Sequence, residues 1–171
     1  MTTDDQDAQF QRWIQNHLGL MVKVVRSFVD GAADQDDLLQ DILVNLWSSI
    51  PSFRGEAKET TWIYRVSIQT AMVWRRGERR REKHQSSYMQ EVMAVKSHGV
   101  DSEGGDDELI ERLYSAIRQL PKVDASIALL HLDGLTYREI SEALGISENY
   151  VGVKLSRIRG VLTERLGELS Q

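Results

Sequence analysis

The stretch from Gly134 to Arg159 constrains the fold most strongly, because it has the pattern of two short helices joined by a tight turn. Gly145 suits the left-handed conformation that ends a helix, and Ser147 is a good N-cap for the helix that follows. Apolar residues recur along that second helix at helical spacing and predict a core stripe: Val151, Leu155, Ile158 and Leu162. Its other face is polar and cationic, as suits the DNA major groove.

A solvated helical hairpin has the same local pattern, so the rest of the chain must decide between the two interpretations. Taken alone, the net charge of −5 and the pI near 5.4 argue against nucleic-acid binding. The charges are segregated, however. Residues 74–84 carry six basic side chains against two acidic ones, and residues 101–111 carry six acidic side chains and no basic one. Because local patches set a phosphate-binding surface, the average charge does not exclude DNA.

Composition excludes several other classes of protein. The chain has no cysteine, which rules out disulfides, thiolate zinc sites and a cysteine nucleophile. Its four histidines lack metal-ligand spacing, and no Gly-rich loop or nucleophile elbow occurs. We therefore expect no catalytic residue, no metal and no cofactor. The acidic N-terminus has no signal core, and no apolar run approaches the ~20 residues of a membrane span, which predicts a cytoplasmic protein without membrane insertion.

The helical spacing of apolar residues predicts an all-α protein. Helices are expected at about 7–29, at about 34–49 with Asp34 as the cap, and from about 58 toward 83. Residues 106–169 form a second helical unit that ends in the helix-turn-helix. We therefore predict two small helical domains, 1–85 and 106–171, joined by a flexible acidic linker at 86–105.

Three segments occur in an order that resembles the extracytoplasmic-function (ECF) sigma factors of the bacterial sigma-70 family: Asp34–Trp47, Phe53–Arg80 and Leu120–Leu162. Together the matched domains cover nearly the whole chain. The resemblance implies an RNA polymerase sigma factor that binds core RNA polymerase, at its β′ clamp helices and β flap, and directs promoter recognition and transcription initiation. It also implies that the first domain meets the −10 element, that the second meets the −35 element, and that an anti-sigma factor is a partner.

Matching by position, the resemblance places core-polymerase contacts on the second helix: Asp37, Leu38, Gln40, Asp41, Asn45 and Trp47. The alternative for the apolar members of this helix is a place in the core. The third helix would contact −10 DNA through Gln69, Val73, Trp74, Arg75, Arg76, Arg79 and Arg80. Many family members carry Asn near Gln69 and Asp near Val73, so the −10 base preference of this chain is expected to differ.

The recognition helix and the helix before it supply the −35 candidates: Arg138, Asn149, Tyr150, Val153, Lys154 and Arg157. Gly152 stands where the family often has Lys, and Val153 stands where Ser is frequent. Val153 is suited to contact a thymine methyl group. For Arg138, a solvated surface charge is an equal alternative to a phosphate contact.

A second hypothesis is an autonomous helix-turn-helix regulator that binds a palindrome as a dimer. It accounts for the recognition helix, but it leaves the first domain and its arginine run unexplained. The two hypotheses differ in one requirement, because a sigma factor needs core polymerase for specific promoter binding and a repressor does not.

Overall fold

The computed structural model describes residues 2–74 and 106–168, and within these ranges the regular structure is helical throughout, without a strand. The helices are α1 (Thr3–Phe28), α2 (Ala32–Ser49), α3 (Glu59–Val73), α4 (Asp106–Arg118), α5 (Lys122–Leu132), α6 (Tyr137–Leu144) and α7 (Glu148–Glu168), with a 3-10 turn at Ile50–Ser52. The all-α prediction is confirmed for these ranges. The predicted linker at 86–105 lies outside them. No helix in the described part is long and apolar enough to cross a membrane.

Helix boundaries follow from local capping. The Thr2 hydroxyl accepts a hydrogen bond from the Asp5 amide, and the Asp5 carboxylate accepts one from the Thr2 amide, so α1 begins four residues earlier than predicted. Helix α2 begins after Gly31, whose positive φ of 86° favours glycine. Asp34 lies within the first turn of α2, so its predicted role as the cap is wrong.

Helices α1, α2 and α3 pack on one another around large buried side chains. Trp13 of α1 is fully buried, and its ring meets Phe53 edge-on at 5.2 Å between centroids. Phe53 in turn lies 5.5 Å from the ring of Trp62. This aromatic row fixes the loop between α2 and α3 and thereby orients α3. Helix α3 ends at Val73, with Trp74 extended, so within the described range it is shorter than predicted.

Helices α4 to α7 form the second group, and α6, the turn and α7 build the predicted helix-turn-helix. Gly145 has φ 69° and ψ 33°, the left-handed geometry that ends α6. The Ser147 hydroxyl accepts a hydrogen bond from the Tyr150 amide at 3.2 Å, which caps α7. Val151, Leu155 and Ile158 are buried, as the periodicity predicts.

The two groups also pack against each other. Helices α4 and α5 contact α1, while α6 contacts α3. The buried side chains of both groups belong to a single hydrophobic cluster. The structure therefore brings the helix-turn-helix beside the helix predicted to read the −10 element.

Candidate nucleic-acid interface

Helix α7 has a packed back and an exposed polar front. Three predicted −35 residues at its start and middle are exposed: Asn149, Tyr150 and Val153. Arg157 is exposed one turn beyond Val153 and forms no ion pair with another residue in the described ranges. A free guanidinium on the outer face of such a helix can form bidentate hydrogen bonds to guanine or to phosphate. Arg157 is therefore the best-presented cation among the predicted −35 contacts.

Two other predicted cations already have partners. The Arg138 guanidinium donates to Glu142 on the next turn of α6 at 3.0 Å, with both side chains solvated. The Lys154 ammonium lies 2.8 Å from the carboxylate of Asp124 on α5, and these side chains are only 24% and 16% exposed. The Asp124 carboxylate raises the pKa of Lys154. Lys154 thus ties the recognition helix to α5, while its predicted DNA contact stays untested.

Replacing Lys154 with Ala is expected to lower the free energy of unfolding, because it leaves the half-buried Asp124 carboxylate without its ion-pair partner. Urea denaturation followed by circular dichroism measures this loss. The double variant Lys154→Ala/Asp124→Ala serves as the control and should recover part of it. Equal stability of wild type and Lys154→Ala would contradict the role of this ion pair.

Tyr137 is a surface residue that the sequence pattern did not single out. A Cβ placed on Gly152 would lie 3.5 Å from the Tyr137 ring, so this ring is in van der Waals range of position 152. Tyr137 is exposed and also meets His131 edge-on. Its place directly after the N-cap Thr136 is the one sequence signal that could have marked it. The ring adds an aromatic group and a hydroxyl to the front of the helix-turn-helix.

The outer face of α3 carries the predicted −10 residues that the structure describes. Gln69 is exposed, Val73 is 76% exposed, and Trp74 is half-buried. Arg65, which the sequence pattern did not single out, lies one turn before Gln69 on the same face. It lines a groove of about 420 Å³ between α3 and α6, together with Trp62. Arg75, Arg76, Arg79 and Arg80 lie outside the described residues.

The predicted polymerase-docking face on α2 needs correction. Leu38 is 0% exposed and Asp41 is 8% exposed. Leu38 therefore takes the alternative place in the core, because its spacing to Ile42 and Leu46 places it on the core stripe, and in this structure it offers no surface for the predicted polymerase contact. Asp41 lies on the next turn and is buried beside that stripe, so its predicted polymerase contact is not available in this structure either.

The other docking candidates are partly accessible. Asp37, Gln40 and Trp47 are half-buried, and Asn45 is exposed. Two of these side chains also have structural bonds: Asn45 donates to Thr70 at 3.0 Å, and the Trp47 indole donates to Asp7 at 3.0 Å. Val44 is a further exposed apolar residue one turn beyond Gln40, and the sequence pattern did not mark it as a contact.

Glu139 links the helix-turn-helix to α3. Its carboxylate accepts from Lys58 at 2.6 Å and, as a capping box, from the backbone and hydroxyl of Thr136. The Lys58 ammonium, followed by the Thr136 donors, lowers the pKa of Glu139 to about 2. The same carboxylate therefore starts α6 and joins it to the N-terminus of α3.

A Glu139→Gln variant is expected to lose a pH-dependent share of stability. The folded-state pKa lies below the ordinary value of 4.5. The stabilisation is therefore fully present above about pH 4.5 and disappears as the pH falls toward 2. Gln keeps a neutral capping group. Urea denaturation at several pH values should show wild type more stable at pH 7 and the two proteins converging near pH 2. A difference that does not depend on pH would contradict this.

Known proteins similar to this chain are also helical proteins that carry a helix-turn-helix. Residues 13–81 match the family model Sigma-70 region 2, and residues 110–162 match Sigma-70, region 4. The ECF RNA polymerase sigma-E factor of Haemophilus influenzae is 27% identical over 144 residues, covering 80% of this chain and 76% of the relative. That of Escherichia coli K12 is 24% identical over 151 residues, covering 81% and 76%.

Solved structures share the fold. CnrH, in complex with the cytosolic domain of CnrY, aligns with TM-score 0.64 at 18% identity, over 95% of this chain and 90% of that one. The sigma factor RpoE of Bartonella quintana, in complex with the anti-sigma factor NepR, aligns with TM-score 0.66 at 18% identity, over 93% and 97%. The chain belongs to the sigma-70 family. It is an RNA polymerase sigma factor of the extracytoplasmic-function type.

Proposed function

We propose that residues 1–85 form a region 2-like domain that binds core polymerase and the −10 element, and that residues 106–171 form a region 4-like domain that reads the −35 element. The observation that supports this most directly is α7, with its packed back and its exposed front around Arg157. A helix of this kind reads base edges in the major groove. The chain itself would act in the cytoplasm without catalytic residues, because the polymerase performs the chemistry.

In this proposal α3 supplies the −10 surface. Gln69 and Val73 lie on one exposed face, and Arg65 extends that face by one turn. The arginines that follow Trp74 in the sequence add phosphate-neutralising charge, which makes the binding sensitive to salt. Because Val73 is apolar where many relatives have Asp, we expect a −10 preference different from theirs.

Core polymerase would dock on α2 through its outward residues. Gln40 and Val44 lie on one side of the helix, with Asp37 beside them, and this side is not packed against the helix-turn-helix. An exposed apolar residue with acidic and amide side chains beside it is suited to bind a basic protein surface. An anti-sigma partner that covers the same face would block core binding. Proteins that co-purify with the chain from its native cell can be added to a transcription assay that depends on the chain. If none of them inhibits transcription, that part of the proposal is contradicted.

An electrophoretic mobility shift with purified core polymerase tests the proposed function. Specific retention of promoter DNA is expected only when the chain and core polymerase are both present, and it should weaken as the salt concentration rises. Core polymerase alone and the chain alone are the controls. Tight, sequence-specific binding by the chain alone to a palindrome would instead support an autonomous regulator.

A further inference from the structure

Three exposed apolar side chains lie on the front of the helix-turn-helix: Tyr137 on α6, and Tyr150 and Val153 on α7. At about 100° per residue, Val153 lies between positions 150 and 152 around the helix. The Tyr137 ring lies beside position 152, 3.5 Å from where a Cβ would be. Val153, which is 48% exposed, therefore has a tyrosine ring on each flank. These three residues form an apolar patch, and a group of exposed apolar side chains marks a contact surface.

Gly152 leaves this apolar patch open on one flank. Its φ is not positive, so the backbone does not require glycine there. A Cβ at this position would meet only the Tyr137 ring, at an ordinary contact distance. Glycine inside a helix lowers stability relative to alanine, and neither backbone geometry nor crowding compensates for that loss here. The missing side chain instead leaves the Tyr137 ring uncovered beside Val153.

The cations of α7 are placed around the apolar patch and not at its centre. The Lys154 ammonium is paired with Asp124 and lies 5.5 Å from the centroid of the Tyr150 ring. The Arg159 guanidinium lies 3.1 Å from the His131 ring nitrogen. Arg157 is exposed four residues after Val153, which is about 6 Å along the helix. Val153 therefore presents an apolar surface within reach of one exposed arginine.

The major groove of DNA offers one apolar group to such a surface, the C5-methyl group of thymine. The other base edges there present donors and acceptors, which an apolar side chain leaves unpaired when it covers them. Valine is stiff about its first side-chain torsion and loses little freedom when it packs against a methyl group. Because base pairs are stacked about 3.4 Å apart, the distance from Val153 to Arg157 corresponds to about two base pairs.

We propose that Val153, flanked by the rings of Tyr137 and Tyr150, selects thymine in the −35 element through its methyl group, about two base pairs from the position contacted by Arg157. The inference rests on the proposed function, because it takes α7 as the helix in the major groove. It adds the identity of one base and the group on it that is read. The two rings exclude water from the methyl contact. Because no charge is neutralised in this contact, the selectivity that it provides does not depend on salt.

Deoxyuridine lacks only the methyl group of thymine and tests this contact directly. A promoter library with a randomised −35 element is first selected with the chain and core polymerase together. Each thymine of the enriched element is then replaced by deoxyuridine. Replacement at one thymine should weaken binding about 2- to 4-fold, the effect of one buried methyl group. This ratio should stay constant while the overall affinity falls with rising salt.

Two variants connect the selectivity to the apolar patch. Val153→Ala should bind the thymine and the deoxyuridine promoters equally, because the side chain that meets the methyl group is shortened. Leu109→Ala shortens an exposed apolar side chain at the start of α4 and is the matched control. It should retain the wild-type ratio. Circular dichroism verifies that both variants are folded.

The possible failures of the inference and of the proposed function are distinct. Enriched −35 elements without thymine would overturn the inference, as would deoxyuridine substitutions that all leave the affinity unchanged. A folded Val153→Ala variant that keeps the wild-type ratio would also overturn it. In each of these cases the proposed function stands, because a −35 sequence is still selected. If no −35 sequence is enriched in the presence of core polymerase, the proposed function itself is contradicted, and this inference with it.

Discussion

Replacing Arg157 with Ala is expected to weaken promoter binding by the chain with core polymerase about 10- to 100-fold, the range for losing one base-reading arginine. Arg157 is exposed on α7 and has no ion-pair partner among the residues described, so its removal breaks no internal ion pair. Fluorescence anisotropy with labelled promoter DNA measures the loss. The selectivity for one −35 base pair should relax at the same time.

Two controls separate base reading from general charge. Arg112→Ala removes an arginine from α4 in the same half of the chain, and it should leave promoter binding unchanged. A promoter with a scrambled −35 element should bind wild type and Arg157→Ala equally, because the contact no longer has its target. Equal weakening by Arg157→Ala on the intact and the scrambled promoter would show that Arg157 does not read the −35 element.

Replacing Trp13 with Ala is expected to lower the free energy of unfolding by about 3–5 kcal/mol, as large-to-small changes in a packed core do. Trp13 is fully buried in α1, and its ring meets Phe53 edge-on at 5.2 Å. Losing this ring removes the support of the loop that leads into α3. Denaturant unfolding should show the loss, and core-polymerase binding should fall as the first domain unfolds.

Val44→Ala is the matched control, because it shortens an exposed apolar side chain on the same three-helix unit. Its effect on the free energy of unfolding should remain within about 0.5 kcal/mol. A Trp13→Ala variant that is as stable as Val44→Ala would mean that the aromatic row does not hold α1, α2 and α3 together.

Local features of the fold were predictable from the sequence because each depends on neighbouring residues. The turn before α7 needs a left-handed residue and an N-cap, and Gly145 and Ser147 supply them within three positions. The core stripe of α7 follows from spacing alone. On α2, Leu38 belongs to the core, because its spacing to Ile42 and Leu46 places it on the buried stripe, and a resemblance by position does not distinguish that stripe from the outer face.

The contacts between distant segments could not be predicted in this way. Asp133 meets Lys23 and Tyr64, which lie far from it in the sequence, and the helical pattern does not say which helices become neighbours. The ion pair between Lys154 and Asp124 could not be predicted either. A basic residue on a recognition helix gives the same sequence pattern whether it faces DNA or another helix.

The two surfaces of the candidate interface, on α7 and on α3, differ in how firmly the surrounding residues hold them in place. On α7 the exposed front is rigid, because Val151, Leu155 and Ile158 fix the back of the helix and Lys154 anchors its side. Such rigidity keeps the side chains that read DNA in place before binding. On α3, Arg65 lines a groove shared with α6, so this part of the surface depends on the position of the second helical group.

Run-off transcription with core RNA polymerase on a pool of promoters from the native genome, with and without this chain, tests the central claim most directly. New transcripts with defined start sites are expected only when the chain is present, and alignment upstream of those sites should give a −10 and a −35 element. Arg157→Ala should reduce these transcripts. Absence of new transcripts from folded, core-binding protein would contradict the assignment of promoter recognition to this chain.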